Sequence, residues 1–393
     1  MTRVLQISKY YYPFYGGTEQ IARNLTLALK KENVEQRVLC FNCDAESEEY
    51  PCHKEESVKD EVDGVSVIRC GWHVKLSSQS ISLSLISSLK KQMEEFRPDI
   101  VIFHYPNPYV AHFLLHYQDQ PFQLVIYWHL DITKQKVLKH LFHGQDLRLI
   151  HRSSKILGST PAHLHESFYA NEFEGKGLIL PYSIDEERLS ISEEEKKTAQ
   201  EIKNRYQGKM LCFFVGRHVA YKGLDCLIEA SKYVSDDIHF IIAGEGELTE
   251  KLKMQAAGDS KIEFVGRLND STWRSYLWAC DVFCFPSVTR NEGFGLALAE
   301  GMYYGKPAVT FTIPGSGVNY VNLNGVTGIE CPNRDAKAYA AALMKLKEDT
   351  ALRKQYGEQA RDRILNHFSQ RQFEENVHRL LKSLQEEKGG AKQ

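Results

Sequence analysis

Two glutamates, Glu292 and Glu300, bracket the core of the stretch R-N-E-G-F-G-L-A-L-A-E-G-M-Y-Y-G-K at residues 290–306. Gly293, Phe294 and Gly295 follow the first acid. The apolar run Leu296-Ala297-Leu298-Ala299 reads as the start of a buried helix, and Gly305-Lys306-Pro307 as its end. Residues 282–285 upstream read as an apolar strand, so the unit is strand, glycine-bearing loop, helix. The first turn of a helix offers free N–H groups and a positive dipole end, which suit a diphosphate. Glycines let the backbone approach such a ligand closely. A carboxylate there repels phosphate, so Glu292 suits neutral hydroxyls instead. Glu300, more than one helical turn further in, also suits hydroxyls, such as those of a ribose. Together these groups fit a nucleotide sugar. An ordinary helix N-terminus with one solvated and one buried, paired glutamate fits the stretch equally well.

A second constellation lies upstream. Residues 211–215 read as a strand ending in Gly216-Arg217, and Tyr221-Lys222-Gly223 follows as a helix opens. Two fixed cations at the carboxyl end of a parallel strand suit a diphosphate. They would stabilise charge developing on a phosphate leaving group without a metal. Surface cations with salt-bridge partners are the plainer alternative. Gly266-Arg267-Leu268 ends another strand on the same edge, and is either a place for backbone contacts to a base or an ordinary turn.

In the first half, residues 4–8 read as a buried strand. An aromatic loop follows, then Gly16-Gly17, then an amphipathic helix from Thr18 with Ile21, Leu25 and Leu29 on one face. This is another anion-friendly mouth, but neither G-x-G-x-x-G nor a P-loop with its lysine. His104 and His129 fall at strand ends, where ligands of parallel sheets bind; for His129 a structurally satisfied histidine competes. His112 and His116 are an i,i+4 pair without the H-E-x-x-H glutamate. Cys40, Cys43, Cys52 and His53 lack the second tight pair of a zinc site, so no metal is expected.

These residues are positioned by strands alternating with helices, which implies doubly wound α/β domains with parallel sheets. Residues 1–185 form the first, with strands at 37–43, 65–69, 100–104, 122–128, 155–158 and 177–180. A polar excursion spans 44–63, and helices span 79–96 and 134–150. Residues 186–369 form the second, opened by the polar run Glu193-Glu194-Glu195-Lys196-Lys197. Two helices, 351–368 and 371–386, close the chain, and the tail at 388–393 is expected to be disordered.

The 393 residues carry a net charge of −2, so nothing global suggests nucleic acid. No apolar run approaches the ~20 residues that span a bilayer. The N-terminus reads as a first strand, not a signal peptide. Odd, scattered cysteines favour reduced thiols and a cytoplasmic location. Residues 134–155 carry Lys134, Lys136, Lys139, Arg148, Arg152 and Lys155 against Asp146 alone. That is either a solvated face or a surface for an anionic membrane.

The full set of motifs, in order, resembles the GT-B glycosyltransferases of retaining family 4. The acid-x7-acid motif appears as Glu292 to Glu300, the diphosphate cations as Arg217 and Lys222, the glycine loop as Tyr15-Gly16-Gly17-Thr18, and the strand-end histidine as His129. Leu180-Pro181-Tyr182-Ser183-Ile184-Asp185 looks like the family's domain-end motif. It departs at Tyr182 and Ser183, a linker change expected to be silent for chemistry.

The resemblance implies two Rossmann-like domains facing a cleft, with the C-terminal helix at about 370–386 crossing back to the first. It implies that Glu300 contacts ribose, Arg217 and Lys222 hold the diphosphate, and Glu292 holds sugar hydroxyls. Backbone groups of Gly293, Phe294, Gly295 and Leu296 would meet the donor, Gly266, Arg267 and Leu268 the base, and Gly16 and Gly17 the phosphates. His129 would lie near the reacting centre. The implied donor is GDP- or UDP-linked, with no metal or other cofactor. The expected reaction is retaining hexosyl transfer by same-face attack. Residues 314–328 look like bacterial O-antigen and capsule enzymes, which favours a mannosyl donor and a lipid-linked glycan acceptor at the inner face of the plasma membrane. A nucleotide-sugar 2-epimerase of the same fold, or a non-catalytic sugar-nucleotide-binding module, is the alternative.

Overall fold

The computed structural model describes residues 1–14, 16–42, 54–76, 79–132 and 136–390. The chain divides into two compact units. One comprises Met1–Ser183 with the chain from Gln370 onward, and the other Ile184–Ser369.

The first unit is built on strands β1 (Thr2–Ile7), β2 (Val34–Phe41), β3 (Val58–Val62), β4 (Val65–Cys70), the pair β5 (Val74–Leu76) and β6 (Gln79–Ile81), then β7 (Ile100–Tyr105), β8 (Gln123–Trp128), β9 (Lys155–Gly158) and β10 (Gly177–Ile179). Eight of them form one sheet in the order β10-β9-β8-β7-β1-β2-β4-β3. All its pairings are parallel except β3 with β4. The central strands are continuous buried apolar runs, as parallel strands covered on both faces must be; every residue of β7 is buried.

Strand β3 corrects the expected excursion. Asp63 (φ 53°) and Gly64 (φ 76°) form the tight turn between β3 and β4, and Asp-Gly is a strong short-range hairpin signal. Gln79–Ile81 is a strand rather than the start of a helix, because Ser82 caps the helix at Leu85 N (3.0 Å). The terminal helix is also longer than expected, running Gln370–Gly390. It lies within this unit, held by Lys31–Glu374 at 2.6 Å, Lys155–Glu387 at 2.5 Å and Lys388–Asp99 at 2.8 Å.

The second unit carries β11 (Met210–Val215), β12 (Ile238–Ala243), β13 (Ile262–Gly266), β14 (Val282–Phe285), β15 (Ala308–Phe311) and β16 (Gly328–Cys331). Their order is β13-β12-β11-β14-β15-β16, all parallel. The last strand was not foreseen, being short and half-buried. This order reverses direction between β11 and β14, and ligands of such sheets bind outside the carboxyl ends of strands at that switch point. Arg217 follows β11 and Glu292 follows β14. The Tyr339 hydroxyl accepts from Phe285 N (3.1 Å) and donates to Val309 O (2.7 Å), tying the end of β14 to β15 just before the Glu292 loop.

Candidate functional site

In the second unit the chain leaves β11 through Gly216-Arg217 and makes a 3-10 turn at Ala220–Lys222. Gly223 then opens the helix Leu224–Ser231 at φ 64°. A Cβ there would lie 2.1 Å from Pro286 O, so only glycine lets this turn press against the loop after β14. Val288 N donates to Tyr221 O at 2.9 Å, fixing the two segments together. Lys222 Nζ consequently reaches Glu292 Oε2 at 2.5 Å, with both side chains largely buried. Its ammonium also sits 5.0 Å from the Phe285 ring centroid. Ser287 Oγ donates to the same carboxylate oxygen at 3.0 Å. Oε1 of Glu292 therefore retains its acceptor capacity among the described residues.

The backbone of this loop is clamped from behind. Ser316 Oγ donates to Glu292 O, and Gly317 N donates to Gly293 O at 2.6 Å. Gly295 then turns the chain at φ 87° into the helix Leu296–Tyr303. The first-turn N–H groups of that helix have no carbonyl of a preceding turn to bond. The Phe294 ring is buried edge-on against Phe368 (centroids 5.4 Å apart), which turns its side chain into the core of the unit.

Glu300 lies one turn in and is 7% exposed. Among the described residues its carboxyl makes no hydrogen bond, and its one ion-pair contact is Arg188 Nη1 at 3.7 Å. Burial pushes its pKa up to about 7; Arg188 opposes that rise, while Asp270 and Asp185 add to it. A buried carboxyl with open acceptor sites fits hydroxyl donors. It departs from the firmly paired glutamate of the plainer sequence reading.

Arg217 is exposed and forms no ion pair among the described residues, whereas Arg267 is turned toward Glu245 at 3.3 Å. The carbonyl of Gly266 accepts from Gly244 N at 2.7 Å, and Leu268 is half-buried.

In the first unit Gly16 and Gly17 are exposed at the start of the helix Gly17–Lys30, beside the first-turn Glu19; Tyr15 lies outside the described residues. His129 follows β8 and is buried. Its Nε2 meets His104 Nδ1 at 2.8 Å, and its Nδ1 meets the Tyr182 hydroxyl. Tyr127 stacks on its ring at 4.7 Å. Burial holds both imidazoles neutral, pushing His104 down to about 3 and His129 well below its ordinary value, the latter with added repulsion from His104 and His163. Tyr182 is therefore no silent linker change, because its hydroxyl holds one nitrogen of His129. The loop after His129 is pinned by Asp131, which accepts from Trp128 Nε1 at 2.9 Å and Ser167 Oγ at 2.8 Å.

The basic segment loses two of its surface cations. Arg152 donates to the carbonyls of Gln118, Gln120 and Phe122, and Lys155 is paired with Glu387. Lys134 and the side chains at 136–141 fall outside the described residues. Of the cysteine cluster, Cys43, Cys52 and His53 also fall outside. Cys40 is buried, and its thiol is pushed up to about 12. Among the described residues no three His, Cys, Asp or Glu side chains gather to hold a metal ion. No helix among them is long and apolar enough to cross a membrane.

Sequence reasoning passed over Ser287, Ser316, Arg188 and Asp270, and took Tyr182 for a silent linker change. Ser287 acts within its own loop and the others by contacts between separate segments.

The architecture is that of the GT-B glycosyltransferases. Sucrose-phosphate synthase from Thermosynechococcus elongatus is similar with a TM-score of 0.79, at 16% identity over 98% of this chain and 99% of that one. Anabaena HepE, solved with UDP and glucose, is similar at 0.77, with 16% identity over 98% and 100%. The model of Glycosyltransferase Family 4 matches residues 15–164, and that of Glycosyl transferases group 1 matches 195–363. The chain belongs to the family 4 glycosyltransferases. Among its relatives are the O-antigen chain mannosyltransferase C of Escherichia coli, 27% identical over 93% of this chain and 94% of that protein, and D-rhamnosyltransferase WbpZ of Pseudomonas aeruginosa, 28% identical over 93% and 92%.

Proposed function

We propose that this glycosyltransferase moves a hexosyl residue, with mannosyl favoured, from a GDP- or UDP-linked donor to a lipid-linked glycan acceptor. It would do so with retention of configuration, in cell-surface polysaccharide assembly. The observation that carries the donor reading is the pair of unlike glutamates at the switch point of the second unit. Among the described residues, Glu292 is held by Lys222 and Ser287 with one oxygen open, and Glu300 is buried without a hydrogen-bonding partner. Glu292 takes sugar hydroxyls and Glu300 takes the ribose. Lys222, Arg217 and the amides at 294–296 take the diphosphate, and Gly266, Arg267 and Leu268 meet the base. Gly16, Gly17 and His129 serve the reaction from the first unit.

The two relatives named for mannosyl and D-rhamnosyl transfer support the sugar, since D-rhamnose is 6-deoxymannose. The named O-antigen role of the first supports a glycan acceptor. Among the described residues, no side chain beside Glu292 stands out as a covalent nucleophile. The departing phosphate, stabilised by Lys222 and Arg217, would take the acceptor proton during same-face attack, and no metal is needed for that charge.

The test is a panel of GDP-mannose, UDP-glucose, UDP-galactose and UDP-N-acetylglucosamine, scored for slow hydrolysis and thermal stabilisation. At 100 times Kd a true donor stabilises the fold by about 2.7 kcal/mol. A panel without any stabilising member overturns the reading. A donor converted to its 2-epimer without acceptor assigns an epimerase instead. Proton coupling at the anomeric centre of the product decides retention.

A further inference from the structure

Among the described residues the Glu300 carboxyl makes no hydrogen bond, so its charge and direction depend on what lies beside it. Arg188 is placed to do so. Its N–H donates to Asp185 Oδ1 at 3.0 Å, which fixes the turn that carries it. Nε and Nη2 form a two-pronged contact with Asp270 at 2.9 and 2.8 Å. The guanidinium lies 4.6 Å from the Trp273 ring centroid. Its carbonyl accepts from Arg274 Nη1 at 2.9 Å, and Arg274 is itself locked to Glu195 at 2.6 Å. A guanidinium is planar, so fixing one edge on Asp270 fixes the direction of the remaining nitrogen. That nitrogen, Nη1, is the one facing Glu300 Oε1 at 3.7 Å. The separation is too long for a hydrogen bond and short enough for attraction between charges.

We propose that Arg188 is a positioning residue for nucleotide recognition, favouring the charged form of Glu300 and aiming it so that both its oxygens accept from the vicinal hydroxyls of a ribose. This rests on the donor reading given above. The gap at 3.7 Å leaves the lone pairs of Glu300 open for hydroxyls, which a direct bidentate pair would have occupied. Asp270 prevents that pairing by holding the other edge of Arg188. Without the cation, burial favours the neutral acid, which has one fewer acceptor site and presents a proton where a hydroxyl must donate.

The test compares UDP and GDP with dUDP and dGDP by titration calorimetry on the full chain, in the wild type, Arg188→Met, Arg188→Lys and Asp270→Asn. The wild type should bind the ribonucleotide about tenfold or more tightly than its 2′-deoxy counterpart. In Arg188→Met the ribonucleotide should weaken about tenfold and the deoxynucleotide, which keeps only its 3′-hydroxyl contact, by less, so the ratio falls toward one. Arg188→Lys should recover part of the ratio, and Asp270→Asn should lie between. A generally damaged fold weakens both nucleotides and leaves the ratio intact; that result, or an unchanged ratio in Arg188→Met, overturns the proposal. Should Arg188→Met fail to fold, the ratios of the lysine and asparagine variants decide in the same way. A wild type that binds ribo- and deoxynucleotides equally sinks the ribose reading of Glu300 itself, and the variants then have no ratio to lose.

Discussion

Replacing Glu292 by Gln should produce two opposite effects. In the free protein, Lys222 and Glu292 neutralise each other at 2.5 Å, with side chains 10% and 12% exposed, so water screens them little. A diphosphate claiming Lys222 must weaken that bond. A hydrogen bond between charged groups contributes about 1.5–3 kcal/mol net. At about 1.4 kcal/mol per decade, that is about 10- to 100-fold in affinity. Glu292→Gln keeps the shape and removes the competing charge. Affinity for UDP or GDP should therefore rise, by up to that factor if the bond opens fully. Glycosyl transfer should be lost, because the sugar hydroxyls lose their charged acceptor. Titration calorimetry at fixed ionic strength reads the first effect, and donor turnover with acceptor reads the second. Equal or weaker nucleotide binding refutes the competition between carboxylate and diphosphate. Wild-type transfer refutes the role of Glu292.

Glu300 should also govern stability. Its folded pKa, about 7, lies above the ordinary 4.5, so the folded form binds more protons than the unfolded form between those values. Stability from this group is present below about pH 4.5 and is lost as pH rises through 7, amounting to at most about 3 kcal/mol. Glu300→Gln should thus melt higher than wild type at pH 8 and about equally at pH 4.5 in thermal scans, while binding nucleotide more weakly than wild type at pH 8. His104, pushed down to about 3, acts in the opposite sense. The folded form resists protonation that the unfolded chain accepts, so this contribution to stability disappears as pH falls from about 6.5 toward 3, and urea midpoints should drop over that range. Tyr182→Phe leaves Nδ1 of His129 buried without its hydroxyl partner and should cost about 1–3 kcal/mol in urea denaturation. An unchanged midpoint would show that the contact contributes nothing.

Much of the site was legible in the sequence, because local chemistry writes itself locally. Gly295 and Leu296 announce a helix mouth, and Glu292 and Glu300 carry their spacing with them. The alternation of apolar strands with helices gave the two parallel sheets, and strand ends located Arg217 and His129. Sequence also specified Gly223, which only a close backbone approach requires, though not what approaches it.

What the tertiary structure decided was the state of each charge. Spacing placed Glu292 before the helix and Glu300 inside it, but not which of them is firmly paired. Folding brings Lys222 from a separate segment and Ser287 from the same loop to the first, and leaves the second buried with Arg188 at arm's length. It likewise turned Tyr182 from a linker residue into a partner of His129, and Arg152 and Lys155 from surface cations into structural ones. The cause in each case is the same. Residue type and spacing fix what a side chain is able to bond, whereas burial and its neighbours, which come from distant parts of the chain, fix which bond it makes and whether it keeps its proton.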